Sequence, residues 1–232
     1  MVRGEKEKLN STELYQINKC WDCHNALVDM DEAAKRLHEI FQEIDFSRRQ
    51  LARLGGVKPK SHNIFQVAIA GCPNSCCQPQ IKDFALQGQA VPEIGAGCTM
   101  CGLCVAACPD DCIVLGEAGP IIDRQVCLNC GKCAAKCPTG AIKINKRGYR
   151  VIRGGKLGRR PQLAQEVCSL TNVRGAAALL RETLDLLLQQ GKPGERLGSL
   201  LQRLQKVENC EENLAGAKPL GVPTRGTSRR QP

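Results

Sequence analysis

Apolar positions recur along the chain at two spacings, one typical of helices and one typical of strands. Between residues 31 and 54 they recur every three or four positions, which predicts an amphipathic helix. Asp29 with Glu32 resembles a capping box at its start, and Gly55 with Gly56 predicts its end. The apolar stripe of this helix consists of Leu37, Ile40, Phe41 and Ile44.

The remaining pattern predicts two short strands, three more helices and a disordered tail. The strands are predicted at residues 64–70, before a turn-rich segment, and at residues 149–153, before a glycine-rich segment. The helices are predicted at residues 162–167, 173–190 and 193–207. From residue 215 onward Gly, Pro, Arg and Ser dominate, so residues 215–232 are expected to be a disordered tail.

Residues 98–144 differ from the rest, because they are dense in cysteine and internally repeated. The run C-x2-C-x2-C-x3-C-P occurs twice, and this run binds [4Fe–4S] clusters in bacterial ferredoxins. Three close thiolates of each run hold one cluster, and the remote fourth cysteine holds the other cluster. The spacing therefore predicts cluster one at Cys98, Cys101, Cys104 and Cys137, and cluster two at Cys127, Cys130, Cys133 and Cys108.

The repeat leaves two questions, the identity of its metal and the role of an extra cysteine. Zinc ribbons also use C-x2-C pairs, but zinc does not require the doubled three-plus-one run followed by proline. Cys112 looks like a ninth ligand, but the repeat places it opposite Ala141, which indicates a small core side chain. Two clusters so close in sequence indicate electron relay.

Composition narrows the class of protein. The chain has 232 residues, 16 cysteines and few aromatics. No secretory signal leads it, and no apolar run reaches the roughly 18–20 residues of a transmembrane helix, so we expect a cytoplasmic protein without a membrane span. In a reducing compartment so many cysteines indicate metal ligands rather than disulfides. This argues against a secreted disulfide framework and against an integral membrane protein.

The formal net charge of +10 is concentrated near the C-terminal end. The stretch from Lys143 to Arg160 contains eight basic residues and no acidic one. A basic stretch suggests nucleic acid, but Tyr149 is the only aromatic residue after position 142 that could stack on a base. A smaller polyanion therefore explains the charge better, and we do not expect a nucleic-acid partner.

A second cysteine motif carries a resemblance to a known family. Cys72 and Cys76 form a C-x3-C pair directly after the strand at 64–70. The surrounding residues 66–83 closely resemble a half-motif of the sulfite and nitrite reductases that contain sirohaem and a [4Fe–4S] cluster. Residues 148–161 and 194–198 look like two later segments of the same family. A ferredoxin domain inserted between such segments resembles the dissimilatory and anaerobic sulfite reductases.

The resemblance implies an α+β fold: half of a sirohaem-domain-like α/β sandwich, with an inserted small ferredoxin-like domain for two [4Fe–4S] clusters. The implied divisions are an N-terminal part of the reductase-like domain at 1–95, the ferredoxin domain at 96–145, a C-terminal part of the reductase-like domain at 146–214, and the tail at 215–232.

The resemblance also implies a third [4Fe–4S] cluster. Cys72 and Cys76 would be two of its ligands, and Cys76 would bridge the cluster to the sirohaem iron. Cys20 and Cys23 are the upstream candidates for the other two ligands, although they form C-x2-C where the family has C-x5-C. The alternative is that Cys20 and Cys23 are a separate redox or zinc pair.

Sirohaem carries eight carboxylates, so the basic stretch acquires a specific interpretation. Lys156, Arg159 and Arg160 are the candidates for binding it, with Arg150 and Arg153 on the preceding strand. The alternative interpretations are a solvated basic face and a patch that docks an acidic partner.

Two functions follow from these motifs. The first is an oxidoreductase, or a subunit of one, of the sulfite/nitrite reductase type, in which electrons pass through the ferredoxin clusters to the third cluster and to sirohaem. The second is a sirohaem-free, ferredoxin-like subunit that docks on another redox enzyme. Because family members have two halves around the sirohaem, we expect a redox partner or second subunit to supply the missing half, or a homo-oligomer.

Overall fold

The computed structural model describes residues 13–21 and 23–214, with side chains as far as residue 205. The predicted tail at 215–232 lies outside the described residues. The strands are β1 Tyr15–Lys19, β2 Phe65–Ala70, β3 Phe84–Ile94, β4 Ile113–Gly116, β5 Gly119–Ile122, β6 Ile142–Arg153 and β7 Gln165–Thr171. The helices are α1 Met30–Glu43, α2 Phe46–Arg53, α3 Leu103–Ala106, α4 Lys132–Lys136, α5 Val173–Gln190 and α6 Leu197–Leu214. The predicted α+β class is confirmed.

Within the described residues the main sheet has five strands in the order β1-β2-β3-β6-β7. The first three strands are parallel, while β6 is antiparallel to both β3 and β7. The β3–β6 ladder runs from Phe84 opposite Arg153 to Ile94 opposite Ile142. Its register shifts between Val91 and Pro92, which is where the strand contains a proline that cannot donate a ladder hydrogen bond.

The two faces of this sheet are covered differently. One face presents large side chains such as Ile69, Leu86 and Val151 to a core shared with α1, α2, α5 and α6. On the other face Ala68 and Ala85 form a small separate cluster with Ile152. Burial of the large apolar side chains on the helical face supplies most of the packing energy, because this term grows with the apolar area removed from water.

The predicted helix at 31–54 is interrupted. Helix α1 ends at Glu43, and Asp45 adopts the left-handed conformation with φ 50° and ψ 49° before α2 begins at Phe46. Such a residue ends a regular helix. The turn directs the Phe46 ring into the core, where its centroid lies 5.3 Å from that of Phe41. The prediction of one continuous helix is therefore wrong, while its buried stripe is confirmed.

The predicted helix at 162–167 is wrong, because residues Gln165–Thr171 form strand β7 along the edge of β6. Hydrogen bonding to that long edge outweighs a weak local helical pattern. The helix at 173–190 is confirmed as α5, and Asn172 caps it by accepting from the Gly175 amide at 2.9 Å. The last helix begins at Leu197 rather than 193, since Gly194 has φ 72°.

The strand predicted at 64–70 matches β2, and the strand predicted at 149–153 is the end of the much longer β6. No helix in the described ranges is long and apolar enough to cross a membrane. The cysteine motifs lie at the ends of strands and in the segment between β3 and β6.

We predict that Asp29→Ala destabilises the protein. The Asp29 carboxylate accepts from the amides of Asp31 and Glu32, each at 2.9 Å, and loss of such a helix cap costs about 1 kcal/mol. Urea unfolding followed by circular dichroism under anaerobic conditions measures the loss. Asp29→Asn retains the accepting oxygen and serves as the matched control, so equal destabilisation by both variants would contradict the capping role.

Candidate functional site

The segment between β3 and β6 repeats its backbone as well as its cysteines. Before α3, Met100 has φ 59° and Gly102 has φ 73°; before α4, Asn129 has φ 56° and Gly131 has φ 70°. These left-handed residues turn the chain twice within each C-x2-C-x2-C loop. Each loop therefore curls back on itself, as it must if its three thiolates are to point at one group.

The cysteines predicted for cluster one come together. One cavity is lined by Cys98, Cys101, Cys104 and, from the second run, Cys137. The Cys137 sulfur accepts from the Ile142 amide at 3.4 Å, and this hydrogen bond lowers the pKa of the Cys137 thiol. A lowered pKa favours the thiolate, which is the form that binds metal.

The cysteines predicted for cluster two are also near one another. Burial raises the pKa of Cys133 to about 11, with Cys127 and Cys130 contributing because like charges repel. Cys112 links Cys108 to this group: its sulfur lies 3.4 Å from that of Cys108, and both Cys108 and Cys127 interact with it. Burial, with these neighbours, raises the pKa of Cys112 to about 12. Cys112 is buried in the small core of the segment, where the sequence placed it.

Among the side chains described, those of residues 13–21 and 23–205, no three His, Cys, Asp or Glu form a group that could hold a single metal ion. Each cysteine within residues 13–21 and 23–205 is a free thiol. The assignment of eight cysteines to two four-iron clusters therefore stays a prediction, which rests on the repeated spacing and on the way the two runs approach each other.

The predicted third site lies where the parallel strands β1 and β2 end. Cys20 follows β1, and its amide donates to the Ile69 carbonyl at 3.0 Å. Gly71 follows β2, and its amide donates to the Cys20 sulfur at 3.1 Å. This edge of the sheet thus brings Cys20 to the start of the C-x3-C loop.

The other three cysteines predicted for this site lie close enough to Cys72 to affect its pKa. Burial raises the pKa of Cys72, and Cys23, Cys20 and Cys76 raise it further through charge repulsion. The C-x2-C pair and the C-x3-C pair therefore meet at one place, as the resemblance implies. That they hold a cluster stays a prediction.

The C-x3-C loop is held by contacts to β3 that the sequence did not reveal. Ser75 has φ 57°, and its hydroxyl accepts from the Gln87 amide at 2.6 Å and donates to the Pro73 carbonyl at 3.0 Å. Gly88 packs so tightly that a Cβ there would lie 2.3 Å from the Gly71 carbonyl oxygen. Glycine is the residue that allows this approach.

Cys77 lies next to Cys76 in sequence but packs on the sheet instead. It packs against Ala68 and Ala85 on the sheet face opposite the core helices. Burial raises its pKa to about 11, so the thiol stays protonated at neutral pH. A protonated thiol packed on alanines behaves as a small apolar side chain.

The residues predicted to bind sirohaem are in different environments. Lys156 is buried, its ammonium donates to the Ser199 hydroxyl of α6 at 2.7 Å, and its pKa is lowered by burial and by nearby arginines. Arg159 and Arg160 are exposed. Lys156 thus binds the chain's own helix, which leaves Arg159 and Arg160 accessible to an external anion.

The two arginines of the preceding strand already have partners. Arg150 pairs with Glu166 of β7 at 2.5 Å, and Arg153 donates to Thr183 of α5 at 3.0 Å. The basic stretch is therefore neither one solvated face nor one pocket, because its two strand arginines make contacts that join β6 to β7 and α5.

The second cysteine run docks directly on β3. The Ala90 amide donates to the Asn129 carbonyl at 2.7 Å, and the Asn129 side chain donates to Gln89 at 3.2 Å. Beside this contact a cavity of about 520 Å³ is lined by Cys130 of the second run and by Cys72 of the third site. Its lining also includes Lys132, Lys143 and Arg147 and contains no carboxylate.

Comparison with known proteins identifies the family of the chain. It belongs to the nitrite and sulphite reductase 4Fe-4S domain family, whose sequence profile matches residues 17–212. It is 37% identical over 139 residues to the coenzyme F420-dependent sulfite reductase of Methanocaldococcus jannaschii, a match that covers 60% of this chain and 20% of that protein.

One solved structure shows a similar fold. The crystal structure of dissimilatory sulfite reductase I superposes with a TM-score of 0.53 at 19% identity, over 93% of this chain and 55% of that chain. The Mycobacterium tuberculosis NirA protein aligns with a TM-score of 0.34 at 17% identity, over 68% of this chain and 21% of that chain. The chain thus has a sulfite-reductase-like α+β fold and spans about a fifth of the curated relative it matches.

We predict that Gly88→Ala displaces the C-x3-C loop. The added methyl group would overlap the Gly71 carbonyl, so the Cys72 and Cys76 sulfurs would move away from Cys20 and Cys23. Iron in anaerobically purified protein is expected to fall by about four atoms per chain, one cluster's content. Gly95→Ala is the matched control, since its nearest contact is an ordinary 3.6 Å. Unchanged iron in both variants would contradict a third cluster at this loop.

Proposed function

We propose that this chain is an iron–sulfur subunit of a sulfite- or nitrite-reducing oxidoreductase, and that electrons pass through it from cluster one to cluster two and on to the third site. The observation that carries the proposal is the order of the three sites along β3. Gly88 contacts the third-site loop, Ala90 contacts the cluster-two loop, and Ile94 pairs with Ile142, which donates to Cys137 of cluster one.

The spacing along the strand supports relay. At about 3.3 Å per residue, the positions from Gly88 to Ile94 span about 20 Å. Three sites within that length lie close enough for consecutive electron transfers, whereas a single step across the whole length would be slow. Cys101, which is assigned to cluster one, is exposed, so an electron donor could approach that site from solvent.

The chain's own residues would hold these groups and shape the path between them. When bound, the clusters supply one-electron chemistry, and sirohaem supplies the site of anion reduction. The cysteine thiolates fix each cluster, and the cations at the cavity between Cys72 and Cys130 offset the negative charge that thiolate-ligated clusters carry.

Arg159 and Arg160 fit sirohaem better than Lys156 does. Their side chains are exposed, and guanidinium groups bind carboxylates in a bidentate geometry. Cys76 is exposed as well, so it is accessible from outside this chain. We propose that a second subunit, or a second copy of this chain, encloses the sirohaem from the other side. A cytoplasmic location is proposed because thiols that hold clusters need a reducing compartment.

The buried Lys156 favours a second candidate function, a sirohaem-free electron-transfer subunit. In that case the cations of the basic stretch stabilise this chain or dock a partner. An absorption spectrum of anaerobically purified protein separates the two functions. Sharp sirohaem bands support the reductase subunit, and a broad iron–sulfur shoulder alone supports the relay subunit.

We predict that Cys127→Ser removes cluster two. Iron is expected to fall by about four atoms per chain, and the electron paramagnetic resonance signal of one reduced cluster should disappear. Cys168→Ser is the control, because Cys168 lies on β7 and donates to the Leu170 carbonyl at 3.5 Å, far along the chain from either cysteine run. Equal iron in the two variants would rule out the assigned ligand.

We predict that Lys156→Met and the double variant Arg159→Gln/Arg160→Gln separate structure from cofactor binding. Lys156→Met removes hydrogen bonds to Ser199 and Gln202 and is expected to lower stability. The double variant changes exposed residues and should leave the unfolding midpoint unchanged while weakening sirohaem retention. Sirohaem per chain after gel filtration and thermal unfolding are the two measurements. Full retention by the double variant would contradict the proposed binding residues.

A further inference from the structure

The internal repeat provides a matched pair of positions at which the two predicted clusters differ. Cys112 of the first run corresponds to Ala141 of the second, and each is followed by a buried isoleucine. Both side chains are buried, with exposures of 7% and 1%. At this position one cluster therefore has a sulfhydryl group beside it where the other has a methyl group.

The sulfhydryl of Cys112 faces two of the cysteines assigned to cluster two. Its sulfur lies 3.4 Å from the Cys108 sulfur, and Cys127 of the second run also interacts with it. These two cysteines belong to different runs, so Cys112 lies where the runs cross. Its other neighbours include Ile113 and Ile122 in the small core, which exclude water.

The direction of the hydrogen bond follows from the proposed ligation. A cysteine bound to iron is a thiolate and has no proton to donate. Between Cys108 and Cys112, the donor is then the unligated Cys112, and Cys108 accepts through its sulfur.

We propose that the Cys112 S–H group donates to the Cys108 thiolate and raises the reduction potential of cluster two. The inference rests on the proposed function. Reduction adds negative charge to a cluster, so a donor at a ligand sulfur stabilises the reduced form more than the oxidised form. The dry surroundings of Cys112 strengthen the effect. Cluster two therefore holds an electron more tightly than it would without this donor.

The test compares the potentials of the two clusters in Cys112→Ala, which makes the two repeats alike at this position. Each potential is measured by redox titration followed by electron paramagnetic resonance, with cluster one as the internal reference. The potential of cluster two is expected to fall enough to change its oxidised-to-reduced ratio about tenfold, or 59 mV for one electron. Cluster one should not move.

Two further variants protect the test from a folding defect. Cys112→Val fills the space without a donor and should behave like Cys112→Ala. Cys112→Ser keeps a donor and should restore most of the potential. A merely structural role for Cys112 would not produce this difference between valine and serine.

The remaining outcomes separate the inference from the function on which it rests. A cluster-two potential that is the same in wild type and Cys112→Ala, with iron content unchanged, would overturn the inference and leave the relay intact. Loss of about four iron atoms in Cys112→Ala would show that Cys112 is a ligand, which also overturns it. Wild-type protein with no cluster in the repeat would overturn the proposed function itself.

Discussion

The antiparallel pairing of β3 with β6 is the constraint on which the rest of the structure depends. It extends from Phe84 to Ile94 on one strand and from Ile142 to Arg153 on the other. One half of this ladder is buried under α5 and α1, and the other half leads directly into the cysteine repeat. Since backbone hydrogen bonds set the register residue by residue, the distances between the three candidate sites are set by strand geometry rather than by a linker.

Several structural features can be predicted from the apolar periodicity and the cysteine spacing. The stripe containing Leu37 and Phe41 is buried, α5 has the predicted bounds, and the two cysteine runs fold into matching loops. The family is confirmed by the match over residues 17–212. These features are local, or they repeat within the chain, so they are visible without knowledge of the tertiary structure.

What the sequence could not predict depends on contacts between distant residues. Strand β7 exists because the edge of β6 is available, and α1 ends where Phe46 must turn into the core. Lys156 in a glycine-rich segment looked like an anion ligand, but its ammonium donates a hydrogen bond to the Ser199 hydroxyl of α6. Gly88 carried no signal at all, because its importance lies in the closeness of Gly71.

The docking of Asn129 on Ala90 has a kinetic consequence. A backbone hydrogen bond joins the cysteine repeat to the sheet, and Arg124 adds another by donating to the Pro92 carbonyl at 2.7 Å. These two hydrogen bonds fix the position of the cysteine repeat on β3. The proposed relay therefore requires no swinging arm, and its internal rate should be insensitive to the viscosity of the solvent.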